Sequence, residues 1–334
     1  MEPKSPQTPQ PTALVLRALH IGDLLVAVPA LRALRRALPT HRIVLATTGS
    51  LAPLVSLIGA VDELLPTSAP DALTWSGPAP QVAVNLHGTG PESHRALDAV
   101  EPLRRIGFRA PGWPGPDFDE IARRYPHERE RWCAMLSAHG IPADPADLLL
   151  PPPPGVDPGR TCAPVIVHPG ARYGAKRWPA RRFAEVAAAL NCPITPVVIT
   201  GTAEEHDLAH AVARAACLAE SRVLAGRTDL GELCTLVAGA ALVVSGDTGV
   251  AHLAAAFGTP SVTLFGPVGP EQWGPPSDGP HVVLGDASVR RGDPFADDPD
   301  PALLAVGVGD VLRAAASLRG RPHPGRQPEI AANR

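Results

Sequence analysis

The run Pro151-Pro-Pro-Pro-Gly-Val-Asp-Pro-Gly159, close to the midpoint of a 334-residue chain, constrains the fold more than any other feature. Proline fixes φ and removes the backbone N–H, so neither a helix nor a central strand continues through this stretch. On both sides of it the same pattern recurs: a short apolar run, a loop, then apolar positions at helical spacing. Before it, Ala13-Leu-Val-Leu16, Arg42-Ile-Val-Leu-Ala46 and Val82-Ala-Val-Asn-Leu86 read as strands, with helical patterns over 24–38, 51–58 and 128–139. After it, Val165-Ile-Val-His168, Val197-Val-Ile-Thr200, Val223-Leu224, Leu242-Val-Val-Ser245 and Val262-Thr-Leu-Phe265 read as strands, with helices over 180–190, 204–217, 230–238 and 250–257. Such alternation requires parallel sheets covered by helices, so the class is α/β with two Rossmann-like domains. The expected boundaries are a disordered tail over 1–12, a first domain over 13–150, a Pro-rich linker over 151–163, a second domain over 164–318 and a disordered tail over 319–334. One more helix is expected within 299–318.

Composition narrows the partners. With 30 basic and 33 acidic residues the net charge is −3, and no basic block occurs, so a nucleic-acid partner is not expected. The five cysteines are widely spaced, without CxxC or a neighbouring His, which argues against a zinc site and against a disulfide framework and favours a reducing cytoplasm. No apolar run approaches the ~18 residues of a membrane span, and residues 1–12 lack the apolar core of a signal peptide. Peripheral membrane contact stays open, because an acceptor can be a lipid-linked glycan.

The chemistry concentrates where strands hand over to helices, the place where open α/β sheets bind ligands. In Ser245-Gly-Asp-Thr-Gly-Val-Ala-His252, the residues Asp247, Thr248 and Gly249 fall on such a turn, and its free N–H groups suit a phosphate. Thr248 and His252, four apart, would share one helix face. The loop His168-Pro-Gly-Ala-Arg-Tyr-Gly-Ala-Lys-Arg-Trp-Pro179 combines Gly170 with Arg172, Lys176 and Arg177. It reads either as a diphosphate cradle or as a solvated basic turn, and its position across from the Asp247 loop favours the cradle. In Thr200-Gly-Thr-Ala-Glu-Glu205, Glu205 suits ribose hydroxyls, or is simply an acid favoured at a helix N-terminus, with Gly201 beside it. In Ile21-Gly-Asp23, Gly22 permits close backbone approach, and Asp23 is either the N-cap of a helix starting at Leu24 or a catalytic carboxylate at the sheet edge. His87 ends a first-domain strand and is either structural or turned toward an acceptor.

Taken in order, Ile21-Gly-Asp-Leu24 with Pro29-Ala-Leu31, Val84-Asn-Leu86 with Arg105-Ile-Gly107, His168-Pro-Gly170 with Lys176-Arg-Trp-Pro179, Gly201 with Glu205, and Ser245–His252 through Phe265-Gly-Pro267 resemble glycosyltransferase family 9, the lipopolysaccharide heptosyltransferases. The resemblance spans roughly residues 13–270. It implies a GT-B fold of two facing Rossmann-like domains and inverting, metal-independent transfer. By the same resemblance Asp23 is the general base, Lys176 lies at the donor phosphates, Glu205 contacts the ribose, and Asp247, Thr248, Gly249 and His252 form the donor loop, with no cofactor and no metal required. The sequence departs from the family over 285–301, where family members often carry cysteines and this chain has acids and arginines. The Asp297-Asp298 pair there reads as solvated. The acceptor-side stretch 88–94 also lacks the basic residues associated with phosphorylated acceptors.

These expectations converge on a glycosyltransferase moving a sugar, with heptose from ADP-heptose as first choice, from a nucleotide-sugar donor to a hydroxyl of a glycan or small natural product. Rival readings are a GT-B nucleotide-sugar epimerase, a non-catalytic nucleotide-sugar sensor, and a dehydrogenase, the last unsupported because no GxGxxG opens either domain.

Overall fold

The computed structural model describes residues 10–156 and 162–318. The terminal expectations over 1–9 and 319–334 and the core of the linker, 157–161, lie outside the described residues. The chain divides into two compact units between Leu148 and Leu149.

In the first unit the order is β1 (Thr12–Leu16), α1 (Ile21–Val26), α2 (Val28–Ala37), β2 (Arg42–Thr47), α3 (Ala52–Ile58), β3 (Glu63–Pro66), β4 (Val82–Asn85), α4 (Pro91–Asp98), β5 (Arg104–Ile106), α5 (Phe118–Arg124) and α6 (Glu128–Ala138). The five strands form one parallel sheet in the order β3-β2-β1-β4-β5. Every residue of β1 is buried, as a central strand covered on both faces requires. The single helix expected over 24–38 is in fact two, broken at Ala27, because Pro29 lacks the N–H that a continuous helix would use and instead sits in the first turn of α2. Strand β1 opens at Thr12, inside the expected tail.

The second unit runs β6 (Val165–His168), α7 (Ala180–Leu190), β7 (Val197–Ile199), α8 (His206–Ala215), α9 (Leu230–Ala238), β8 (Leu242–Gly246), α10 (Gly249–Phe257), β9 (Ser261–Leu264), α11 (Pro270–Trp273), β10 (His281–Leu284), α12 (Pro301–Leu304) and α13 (Val308–Leu318). Its sheet is parallel in the order β10-β9-β8-β6-β7. The expected strand at Val223-Leu224 is reduced to one bridge, Ile199 to Val223, since a 3₁₀ turn over Glu220–Arg222 leads straight into it. Counting that bridge as a third position, both sheets follow the order in which the first strand neighbours the second on one side and the fourth on the other. The helix expected over 299–318 is also two pieces. Apolar faces of α7, α8 and α13 pack on the second sheet through Phe183, Val186, Val212, Val311 and Ala315. Burial of such side chains is worth about 1.5–3 kcal/mol each before conformational entropy is subtracted.

Candidate functional site

Each sheet has one switch point, between β1 and β4 in the first unit and between β6 and β8 in the second, where the chain leaves the sheet in opposite directions. Nearly every residue singled out from the sequence follows one of these strands or β7.

At the second switch point, Lys176 Nζ donates to Asp247 Oδ2 at 2.7 Å. His252 Nε2 stands 3.7 Å from Asp247 Oδ1. Asp247 is buried, which alone would raise its pKa, yet the neighbouring His252 and the Lys176 ammonium hold it below the ordinary carboxylate value. Helix α10 opens at Gly249, so that residue belongs to the helix and Thr248 is its N-cap. The N–H groups of Gly249 and Val250, the first two helical positions, have no intrahelical acceptor, which is the geometry that receives anions, while the Ala251 N–H donates to the Thr248 carbonyl at 3.0 Å. Thr248 Oγ1 and Ser245 Oγ are buried with no hydrogen-bond partner. Trp273, which sequence reading passed over, packs its ring edge against His252 at a centroid distance of 5.9 Å. Lys176 closes a 3₁₀ turn over Gly174–Lys176. Arg172 is exposed, with its guanidinium 5.5 Å from the Tyr173 ring centroid.

Beside it, Gly170, Gly201 and Glu205 form one cluster. The Glu205 carboxylate lies so close to Gly170 that a Cβ there would fall 2.1 Å from Glu205 Cδ, so a larger residue would have to displace that carboxylate. Glu205 Oε2 accepts from the Thr202 N–H at 2.8 Å and lies 4.0 Å from His168 Nε2. Thr200 Oγ1 is 3.0 Å from His168 Nδ1, which orients the ring. Burial lowers the His168 pKa, while Glu205 acts in the opposite sense.

At the first switch point, Asp23 is not the N-cap. Helix α1 starts at Ile21, the cap residue is His20, and Asp23 sits at the third helical position, with Gly22 inside the helix before it. Its Oδ2 accepts from the His20 N–H at 3.2 Å. The same carboxylate faces Arg17, whose Nη2 is 3.9 Å from both Asp23 Oδ1 and Glu128 Oε1. Arg17 is fully buried over the Trp132 ring, at 4.8 Å from its centroid, and donates to the backbone carbonyls of Asp23, at 2.5 Å, and Leu86. His87, half-buried, has its pKa lowered first by burial and then by Arg17, with Asp23 opposing, and its Nδ1 is buried without a partner. Asp23, Arg17 and His87 therefore share one locus. Sequence reading missed Arg17, although a charged residue directly after a wholly apolar strand was a signal in plain sight.

A cavity of about 680 Å³ runs along α9, lined among others by Val156, Pro164, Arg227, Asp229 and Glu232, and none of the expected site residues lines it. Among the described residues no group of three His, Cys, Asp or Glu side chains is arranged to hold a metal ion, and no helix is long and apolar enough to cross a membrane.

Two Rossmann-like units with polar switch points are the layout of the GT-B fold, and comparison with known proteins agrees. Residues 160–290 match the model of glycosyltransferase family 9 (heptosyltransferase). Lipopolysaccharide heptosyltransferase 2 of Escherichia coli strain K12 is 28% identical over 315 residues, spanning 84% of this chain and 90% of the relative. Two solved structures share the fold: glycosyl transferase family 9 from Veillonella parvula (TM-score 0.74, 19% identity, 92% of this chain and 97% of that one) and E. coli ADP-heptose lps heptosyltransferase II (TM-score 0.73, 23% identity, 92% and 98%). The chain is a glycosyltransferase that is similar, through residues 160–290, to glycosyltransferase family 9.

Proposed function

We propose that this glycosyltransferase moves heptose from ADP-heptose onto a hydroxyl of a glycan or small natural-product acceptor, with inversion and without a metal ion. The observation that carries the division of roles is the opposite burial of the two ion pairs. In the pair Arg17–Asp23 the side chains are 1% and 25% exposed, so the acid is presented. In the pair Lys176–Asp247 they are 26% and 6% exposed, so the ammonium is presented. A half-exposed carboxylate suits removal of the acceptor hydroxyl's proton as that oxygen attacks the anomeric carbon. The glycosidic C–O bond to the diphosphate breaks as the new C–O bond forms. Lys176 and the first-turn N–H groups of α10 neutralise the charge gathering on the departing diphosphate more strongly than in the ground state.

In this reading Gly170, Arg172, Gly201, Thr248, Gly249 and His252 complete the donor site, Glu205 receives the ribose hydroxyls, Gly22 adjoins the base, and His87 contacts the acceptor. Heptose and adenine are supported by the names of the relatives, a heptosyltransferase and an ADP-heptose heptosyltransferase. The reaction is placed in the cytoplasm, where the five unpaired cysteines remain reduced.

Calorimetric titration with ADP, GDP, UDP and dTDP, with and without magnesium, tests the donor. Selective ADP binding that magnesium does not change supports the proposal, and preference for another base removes ADP-heptose. Incubation with ADP-heptose and acceptor, followed by NMR assignment of the product anomer, tests inversion. Turnover of the donor sugar to an isomer without acceptor would point to an epimerase instead.

A further inference from the structure

The stretch 285–301, where the sequence departs from the family it resembles, is not a free solvated loop. The Asp297 and Asp298 side chains are exposed, as expected, but the backbone beside them clasps the turn that carries Lys176. The Ala175 N–H donates to the Ala296 carbonyl at 2.8 Å, and the Ala175 carbonyl accepts from the Asp300 N–H at 3.1 Å. Both backbone groups of the residue preceding Lys176 are thus engaged by one strap. The contact is tight: a Cβ on Gly174 would lie 1.6 Å from the Asp297 carbonyl oxygen. Tyr173 and Phe295 close the same contact edge to face at 5.1 Å. At the other end, Arg290 Nε donates to the Gly266 carbonyl at 2.9 Å.

One side chain organises this strap. Asp300 is fully buried, and its carboxylate accepts from the backbone N–H groups of Arg291 at 3.1 Å, Gly292 at 3.2 Å and Ala302 at 2.9 Å. A buried carboxylate with three backbone donors leaves the strap a single low-energy path, because any other path strands a charge or an N–H away from water.

We propose that Asp300 is a positioning residue for the donor diphosphate: by fixing strap 290–300 it holds the Gly174–Lys176 turn, and hence the Lys176 ammonium, in place. This rests on the reading of Lys176 as the diphosphate residue. Lysine gains most of its affinity for phosphate as a point charge, so a shift of its turn weakens the diphosphate and leaves the nucleoside unchanged.

The test is titration of wild type, Asp300→Asn, Gly174→Ala and Lys176→Ala with ADP and with adenosine, alongside thermal melts. An amide at position 300 retains one acceptor and turns an N–H₂ toward backbone donors, loosening the strap. For Asp300→Asn, ADP affinity should fall about tenfold while adenosine affinity changes less than about twofold, about the weight of one weakened charged contact to the diphosphate. Gly174→Ala strikes the strap from the other side and should reproduce the selective loss if Asp300→Asn does not fold. Equal loss for ADP and adenosine, or unchanged ADP affinity in a folded variant, overturns the inference. If Lys176→Ala itself shows no selective loss, or wild type binds no ADP, the donor reading falls first and this inference with it; a selective loss in Lys176→Ala with none in the other two variants overturns the strap alone.

Discussion

At the switch point of the first sheet the buried member of the ion pair is a cation, Arg17, and the half-exposed member is an acid, Asp23. At the switch point of the second sheet the buried member is an acid, Asp247, and the half-exposed member is a cation, Lys176. Both lie beside a histidine, His87 in one and His252 in the other. In the proposed reading each buried charge fixes the partner that meets the ligand. Fold symmetry alone therefore does not predict function; which charge reaches solvent does. In the proposed reading the first sheet presents the base and the second presents the counter-charge for phosphate.

The largest expected effect follows from removing the presented acid. Asp23→Asn should lower transfer by about 10³-fold, within the 10²–10⁴ range of general bases. ADP affinity should stay at the wild-type value in calorimetry, and surviving transfer would break the assignment. Next in size, Lys176→Ala should lower kcat/KM by about 10²-fold, comparable to losing one preorganised donor at a developing anion. Its signature is that ADP weakens far more than adenosine.

Removing the buried partners sharpens the comparison. Arg17→Met and Asp247→Asn should each destabilise the chain by about 1–3 kcal/mol, because each removes hydrogen bonds at a buried position. Denaturant melts measure that loss. The two should separate in function: Arg17→Met reduces transfer at unchanged ADP affinity, whereas Asp247→Asn changes ADP affinity. Identical profiles would mean that the opposite burial has no functional meaning.

The smallest effect is in pH. Burial keeps the folded His168 pKa below its ordinary value, so below about pH 6.5 the unfolded chain binds a proton that the folded chain does not. Stability is complete above that pH and declines as pH falls, by at most about 1.4 kcal/mol per pH unit for one proton. His87 and His281, the latter lowered to about 4 by burial, act in the same direction. His168→Gln should flatten the slope of melts taken between pH 7.5 and 5.5 by up to that amount, and an unchanged slope would show that His168 titrates normally.

Much of this was legible in the chain itself. The central strands β1, β6 and β8 are continuous apolar runs, and helices 180–190 and 230–238 matched to the residue, because buried elements advertise themselves by periodicity. The edge strands β3, β5 and β10 escaped notice: they are three or four residues long and half-exposed, so no apolar run marks them. The pairing of Lys176 with Asp247 joins residues 71 positions apart, and only the β6–β8 adjacency brings them together. Loop motifs named Lys176, Asp247 and His252 but not their contacts. The cap reading of Asp23 was off by three residues, since α1 starts at Ile21 instead of Leu24, His20 takes the cap position and Asp23 closes a capping box with it from the third helical position. Arg17 and Asp300 were passed over because their roles depend on burial, which a charged residue's identity argues against.

The most direct test of the division of labour is one ADP titration across wild type, Asp23→Asn and Lys176→Ala. The account predicts that Asp23→Asn binds ADP as wild type does while Lys176→Ala loses about tenfold or more in affinity, the weight of a charge-assisted contact to phosphate. Loss of ADP binding by Asp23→Asn, with Lys176→Ala unaffected, would contradict it.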